Sequence, residues 1–442
     1  MHTFEFGFDF TNFYFIGIGG INMSALAEVL HLDGYAVAGS DKSDSAAVAH
    51  LRDIGVNINI GHDTANLPEK AQVVVYNAAV PPHNPEMQEA RARGLHFLDR
   101  AELLGLLMKN YETAICIAGT HGKTTTTSML AQIFMDAGAD PTVMSGGVLP
   151  SMGGAMRVGG DRRYFIAEAC EYHNSFLKFY PYIGIILNLE MDHGDFFEGE
   201  AGLRASFRKF AEKIPKDGLL VINSEIRDYH EITNDLICNV LTFGTNGDLK
   251  SEDIDFKLAV PGAHNVSNAM AAMLAAEHCL LDAGGVVKSL ENFTGALRRF
   301  ERKGTFKGAH IVDDYAHHPT EVTATLTAAK TLNPRHLWVI FQPHTLNRTA
   351  EFLDEFAKSL AIADKVLILD IYRPAGREQE AANVHARDLA DKISDSIYLD
   401  SFEKAAEYLK QNLQKGDMAI TMGAGDIYKV GEMLDLTPHT MI

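Results

Sequence analysis

Residues Gly119-Thr-His-Gly-Lys-Thr-Thr125 combine glycine, lysine and hydroxyl side chains at a spacing suited to holding phosphate. The apolar run Ala114-Ile-Cys-Ile-Ala118 precedes them and Thr126-Thr-Ser-Met-Leu-Ala131 follows, so a β-branched strand empties through a glycine turn into a helix. That order aims backbone N–H groups and a helix N-terminus at one point, with Lys123 as mobile positive charge and Thr124 as a hydroxyl for a metal ion. The usual phosphate-loop spacing asks for glycine at position 117, where this chain has Ile117, so the loop is a short variant. The competing reading is a glycine-tight strand-to-helix turn with no ligand.

A second glycine loop, Gly17-Ile-Gly-Gly-Ile-Asn-Met-Ser24, stands earlier in the chain, and Asp41 follows it by about twenty residues. In the dinucleotide fingerprint such glycines bring backbone close to a diphosphate and the acid takes a ribose hydroxyl. The third glycine is missing here, with Met23 and Ser24 in its place. A nicotinamide cofactor, another nucleotide diphosphate and plain turn glycines all remain open for this loop alone. The ATP-type loop downstream favours two different nucleotides over a redox cofactor.

Further chemistry gathers where strands are expected to end. Glu168-Ala-Cys-Glu-Tyr172 offers carboxylates, and Glu168 with Thr124 suits Mg²⁺, which favours few protein oxygens plus phosphate and water. A solvated strand-end acid is the alternative. Asn188-Leu-Glu-Met-Asp-His193 ends another strand; His193 reads either as a ligand or as a packed, capping histidine. Asn265 and Asn268, three apart before and within a long helix, share one face and could read a base edge, unless Asn265 is simply the helix N-cap. The basic cluster Arg298-Arg-Phe-Glu-Arg-Lys303 suggests charge neutralisation at a transferring phosphoryl group, against a solvated patch. Asp313-Asp-Tyr-Ala-His-His-Pro319, Phe341-Gln-Pro-His344 with Arg348, and Gly423-Ala-Gly-Asp426 complete the set.

The elements that must position these groups form three α/β series. In the first, strands are expected at 13–17, 36–39 and 73–76, with a helix at 23–30. The second has the phosphate loop, strands at 164–167 and 183–187, and an alanine-rich helix over 266–281. The third has strands at 310–312, 337–341, 366–369 and 418–420. Such alternation specifies parallel sheets covered by helices. At 442 residues the length suits about three domains, and 46% apolar residues supply their cores. The formal charge of −19 argues against nonspecific nucleic-acid or membrane-surface binding. Cysteines 116, 170, 238 and 279 follow no CxxC spacing, which fits free thiols in a reducing compartment. No apolar run suits a bilayer span and the first residues lack a basic signal-peptide region, so a cytoplasmic location is expected.

Taken in order, the two glycine loops, Met191-Asp-His193, Gly262-Ala-His-Asn-Val-Ser-Asn268, Asp313-Asp-Tyr-Ala-His-His-Pro-Thr-Glu321 and Gly423-Ala-Gly-Asp426 resemble the Mur ligases over essentially the whole chain. The resemblance implies three consecutive α/β domains: a Rossmann-like UDP-sugar-binding domain (1–109), a central P-loop ATPase domain (110–298) and a Rossmann-like C-terminal domain that admits the amino acid (299–442). The implied reaction is ATP-dependent ligation of L-alanine to the lactyl carboxylate of UDP-N-acetylmuramate through an acyl phosphate. The implied cofactors are ATP and Mg²⁺, or Mn²⁺ in its place.

By the same resemblance, Gly119, Thr120, His121, Gly122, Lys123, Thr124, Thr125, Asn265, Asn268, Arg302 and Asp314 contact ATP. Lys123, His193 and Arg302 are the catalytic set, and Thr124, Glu168 and His193 the metal ligands. Gly17, Gly19 and Gly20 hold the UDP diphosphate, Ser40, Asp41 and Asn77 contact uridine or ribose, and His344 and Arg348 face the muramoyl and alanine carboxylates. A tripeptide-recycling ligase of the same family is the nearest rival, with an idle UDP-sugar sensor and a nicotinamide oxidoreductase further off. The partners expected are small molecules, with no nucleic acid or membrane, for a monomer or homodimer. Three departures stand out. Tyr14 replaces a frequent histidine, Glu171 sits in an altered acidic run, and Thr345 follows His344 where the family usually has arginine.

Overall fold

Three sheets carry the chain. The computed structural model describes residues 9–77, 79–149, 151–192, 196–374 and 382–438. The first sheet has strands β1 (Asn12–Ile16), β2 (Ala36–Asp41), β3 (Asn57–Ile60), β4 (Val73–Tyr76) and β5 (His96–Asp99), all parallel, in the order β3-β2-β1-β4-β5.

The second holds β6 (Thr113–Ala118), β7 (Thr142–Leu149), β8 (Gly154–Arg157), β9 (Tyr164–Glu168), β10 (Ile183–Ile186), β11 (Leu219–Asn223) and β12 (Asn239–Phe243), in the order β12-β11-β10-β6-β9-β7-β8. Only the β7/β8 edge is antiparallel among these pairs.

The third holds β13 (Glu301–Phe306), β14 (Ala309–Asp314), β15 (Leu337–Phe341), β16 (Lys365–Ile368), β17 (Ile397–Tyr398) and β18 (Met418–Met422), in the order β13-β14-β18-β15-β16-β17. Here β13 is the antiparallel member.

The expected α/β class and parallel sheets are present, and β4 and β15 have the bounds read from sequence. The differences are at ends and edges. The alanine-rich helix spans Ala263–His278, three residues earlier than its hydrophobic pattern indicated, so Asn265 lies inside the first turn and is no N-cap. The tail of the basic cluster, from Glu301 to Lys303, is the start of β13.

Central strands are apolar throughout because helices cover both faces. Ile115, Cys116, Ile117 and Ala118 of β6 have no exposed surface. This accounts for Ile117: it is still strand, paired with Glu168 and Ile185, and the turn begins only at Gly119.

The chain divides into two compact units, Met1–Lys257 with Ser267–Asn292, and Leu258–Val266 with Phe293–Ile442. The first two sheets share the first unit and one continuous apolar core, which runs from Phe15 of β1 through Leu103 and Leu107 to Phe176, Phe207 and Phe210. The helix Arg100–Met108 is the joint between them. Asp99 and Glu102 close a reciprocal cap at its start, and both carboxylates also meet Lys178. Gly105 allows the closest approach, since a Cβ there would stand 2.0 Å from the Lys178 carbonyl oxygen. Arg162 pairs with Asp33 across the same junction. Gly105→Ala is therefore expected to destabilise the first unit by about 1–3 kcal/mol through overpacking against rigid backbone, read by urea unfolding. An unchanged midpoint would mean that this helix does not bear on the second sheet.

Candidate active site

The phosphate loop leaves β6 at Gly119 and enters the helix Lys123–Asp136 through Gly122, whose φ of +84° is the left-handed conformation that favours glycine. A Cβ on Gly122 would also lie 2.6 Å from Asn268 Oδ1, which puts Asn268 directly beside the loop, as expected of it. The end of β10 braces the turn. Asn188 Oδ1 accepts from the His121 amide (2.8 Å), its Nδ2 donates to the His121 carbonyl (3.0 Å), and Thr120 exchanges hydrogen bonds with the Glu190 backbone. The first-turn amides of the helix have no partner within the helix, and their dipole favours an anion there.

Lys123 lies folded over this turn. Its Nζ donates to the carbonyls of Gly119 and Thr120 and pairs with Glu171 Oε2 at 3.1 Å. Burial pulls the Lys123 pKa down, but the Glu171 carboxylate, with smaller contributions from Cys170 and Glu168, outweighs it and leaves the pKa raised. The ammonium thus stays charged in a site nearly closed to water. Glu171 itself is 2% exposed, so the uncertain acid of the altered run has a definite place: it faces the lysine.

Thr124 and Glu168 meet as expected, with Thr124 Oγ1 donating to Glu168 Oε2 at 3.2 Å. The other carboxylate oxygen accepts from Ser145 Oγ (2.9 Å) and the Gly146 amide (2.7 Å), which fixes its orientation. A hydroxyl beside a fixed carboxylate at the mouth of a phosphate turn is a hard oxygen pair that fits Mg²⁺. His193 lies outside the described residues.

The first glycine loop differs from expectation in how it uses its amides. Gly17 and Ile18 N–H donate to the Ser40 carbonyl (2.8 and 3.0 Å), Gly19 N–H to Asp41 Oδ2 (2.8 Å) and Gly20 N–H to the Gly17 carbonyl (3.3 Å). The glycine amides therefore hold the turn itself, and the free donors begin with the first turn of the helix Ile21–Leu32. Asn77 flanks the loop, its Nδ2 3.7 Å from the Cβ position of Gly17. Ser40 requires a correction: its side chain has no exposed surface and its hydroxyl donates to Glu86 Oε2 at 2.6 Å, so it braces the loop and offers uridine no free hydroxyl.

Sequence reading missed Glu86. Its fully buried carboxylate also receives Tyr14 Oη (3.1 Å) and Asn66 Nδ2 (2.8 Å) and meets His62 Nδ1 (3.0 Å). Tyr14, the departure in β1, is thus part of this network. The signal available was Asn84-Pro-Glu86, an N-cap followed by a first-turn acid, which reads as an ordinary helix start.

In the second unit, the ends of β14, β15 and β18 collect the third set. Arg298 is corrected from a phosphate-neutralising cation to a clamp. It bonds buried Asp313 (2.9 Å) and the carbonyls of Gly423 (2.6 Å) and Gly425 (3.0 Å), with its guanidinium 5.0 Å from the ring centres of Tyr315 and Tyr428. Arg299 and Lys303 face Glu321 and Glu301, while Arg302 is exposed on β13. Asn265 Nδ2 donates to the Pro261 carbonyl at 2.6 Å.

Asp314 is not the open ATP contact that its motif suggested. It is 5% exposed and accepts from the amides of Phe300 (2.7 Å) and Ala316 (2.9 Å) and from Thr325 Oγ1 (3.2 Å). His344 and Arg348 do come together, Nδ1 to Nη1 at 3.4 Å. Thr345, in the place of the family's arginine, caps the helix Leu346–Glu351 and receives the Arg348 amide.

Comparison with known proteins agrees with this arrangement. Residues 12–112 match the family described as Mur ligase family, catalytic domain; residues 117–276 match the Mur ligase middle domain, and 298–425 the Mur ligase glutamate ligase domain. The chain belongs to the Mur ligase family. Among its relatives, UDP-N-acetylmuramate–L-alanine ligase of Lachnospira eligens is 45% identical over 96% of this chain and 99% of its own. The enzyme of the same name from Acetivibrio thermocellus is also 45% identical, over 96% and 95%. Among solved structures, UDP-N-acetylmuramate-alanine ligase from Thermotoga maritima aligns with a TM-score of 0.76 at 27% identity, covering 95% of this chain and 97% of that one. A murein peptide ligase from Psychrobacter arcticus shares the fold, with a TM-score of 0.71 at 24% identity over 96% and 98%.

Burial pushes the Asp314 carboxyl up to about 6, against the lowering effect of Arg299 and the two amides. Because the folded-state value lies above the unfolded one, the stability this group contributes is full below about pH 4 and is lost as pH rises through about 6. Carboxyl ¹³C titration should place its midpoint near 6. A midpoint near 4 would show that the two amides and Thr325 outweigh burial.

Proposed function

We propose that this chain joins L-alanine to UDP-N-acetylmuramate in an ATP-driven amide ligation of peptidoglycan synthesis, releasing ADP and phosphate. The observation that carries the reading is the phosphate turn with Lys123, Thr124 and Glu168 in place, in a chain 45% identical to enzymes of that name along nearly its whole length.

The chemistry follows from the electrophile. A carboxylate does not accept an amine directly at neutral pH, so the lactyl carboxylate first attacks the ATP γ-phosphate and becomes an acyl phosphate. The alanine amine then adds to that carbonyl, and phosphate leaves from the tetrahedral intermediate. Lys123 would exchange its contacts with Glu171 and the loop carbonyls for the β/γ-phosphate oxygens, stabilising the charge that develops during transfer. Thr124 and Glu168 would hold Mg²⁺, or Mn²⁺ in its place, which when bound neutralises phosphate charge. By its motif His193 would serve a second ion.

The division of labour we assign is UDP-sugar binding to 1–109, ATP binding to 110–298 with Asn265 and Asn268 toward the nucleotide, and amino-acid binding to 299–442. By its motif Arg302 would contact ATP, while Asp314 braces the loop that follows β14. In the first domain, the free amides after Gly20, with Asp41 and Asn77, would take the UDP moiety. His344 and Arg348 would receive the carboxylates. No helix among the described residues is long and apolar enough to cross a membrane, which is compatible with the cytoplasmic location we assign.

The test is phosphate release from ATP with UDP-N-acetylmuramate, comparing L-alanine, glycine, L-serine and the tripeptide. L-Alanine should stimulate release most, and failure of every amino acid to do so would end the ligase reading. Lys123→Ala should lower turnover by about two orders of magnitude or more while UDP-N-acetylmuramate binding, followed by calorimetry, survives. Parallel loss of both would assign the loop to folding.

A further inference from the structure

At the rim of the third sheet stands Tyr372, a half-buried residue that belongs to none of the motifs above. Its ring stacks on the His344 imidazole, with centroids 5.6 Å apart and planes 17° from parallel. The two segments are also tied by backbone. Thr345 N–H donates to the Tyr372 carbonyl (3.0 Å), and Tyr372 N–H donates to the Pro343 carbonyl (2.8 Å).

The same ring fills the space beneath the glycine turn after β18. A Cβ on Gly425 would come within 2.6 Å of Tyr372 Cγ and 2.4 Å of Gln342 Oε1. That turn is immobilised from its other contacts, since Arg298 binds the carbonyls of Gly423 and Gly425 and Gln342 Nε2 reaches Asp426 Oδ1 at 3.4 Å. Tyr372 is therefore wedged between a fixed turn and a histidine ring. The Arg348 guanidinium on His344 Nδ1 favours the tautomer with its proton on Nε2, and the stack sets the plane in which that proton lies.

We propose that Tyr372 is a positioning residue for the amino-acid pocket: held by the Gly425 turn, its ring fixes the His344 imidazole plane that receives the L-alanine carboxylate. The proposal rests on the reading of His344 and Arg348 as that pocket. Tyr372 acts through His344. An offset-stacked pair contributes on the order of 1 kcal/mol, which corresponds to several-fold to about tenfold in affinity.

The experiment is steady-state kinetics of the full-length enzyme, with each substrate varied in turn, for wild type, Tyr372→Phe, Tyr372→Leu, Tyr372→Ala and His344→Ala, each checked by thermal melt. Tyr372→Ala and Tyr372→Leu should raise KM for L-alanine about five- to tenfold. In both, kcat and the KM values for ATP and UDP-N-acetylmuramate should stay within about twofold, and Tyr372→Phe should restore the wild-type KM. The leucine variant fills the volume without stacking, so it preserves the test if the alanine variant fails to fold. A rise in KM with His344→Ala but not with the leucine or alanine variant overturns the role of Tyr372 and leaves the pocket standing. No rise with His344→Ala overturns the pocket, and the proposal with it. A uniform loss across all substrates, or no rescue by phenylalanine, assigns Tyr372 to folding.

Discussion

A cation that must stay charged while nearly enclosed is the constraint around which the central sheet is organised. Lys123 reaches back over its own loop to two carbonyls and Glu171, and those contacts supply the solvation that burial removes. Everything nearby serves that geometry. β6 delivers the loop, Gly122 permits the turn into the helix, Asn188 at the end of β10 pins His121, and Glu168 and Glu171 arrive from β9 and the segment after it. A parallel sheet brings these groups together because all its strands finish on the same side.

The first sheet solves a different problem with similar parts. Its glycine loop spends its amides on Ser40 and Asp41, so the loop is rigid before any ligand arrives. Behind it, the Glu86 carboxyl group gathers Tyr14, Ser40, His62 and Asn66 from separate segments, a buried polar group tolerated because it is hydrogen-bonded from several directions. The helix Arg100–Met108 then locks this sheet to the second through Gly105 and Lys178. In the third sheet Arg298 plays the organising part. One guanidinium ties the chain before β13 to the end of β14 and to the turn after β18, using the planar fork that lysine lacks.

The elements most legible from sequence were those whose local pattern matches their final environment. Strands such as Val73–Tyr76 and Leu337–Phe341 are apolar on both faces, and the loop from Gly119 to Thr125 carries its conformation in its glycines. The edge strands β8, β12 and β13, and β7 beside β8, escaped because their residues are mixed and no unbroken apolar run marks them. Ser40, Arg298 and Asp314 look like ligand contacts in sequence because polar residues at strand ends are as suited to bracing a loop as to binding. Only the packing distinguishes the two uses.

What the sequence by itself determined is the family, the order of the three α/β series and the identity of the phosphate turn, since glycine spacing, a lysine and a hydroxyl are local properties that neighbours along the chain already specify. What only the tertiary structure decided is which polar groups are spent on the protein. The amides of the first loop, the hydroxyl of Ser40 and the guanidinium of Arg298 are committed internally; Glu171, Glu86 and Tyr372 acquire their roles from partners between 20 and 72 residues away. The reason is that a hydrogen bond is a relation between positions in space, and the sequence lists donors and acceptors without saying which of them will meet.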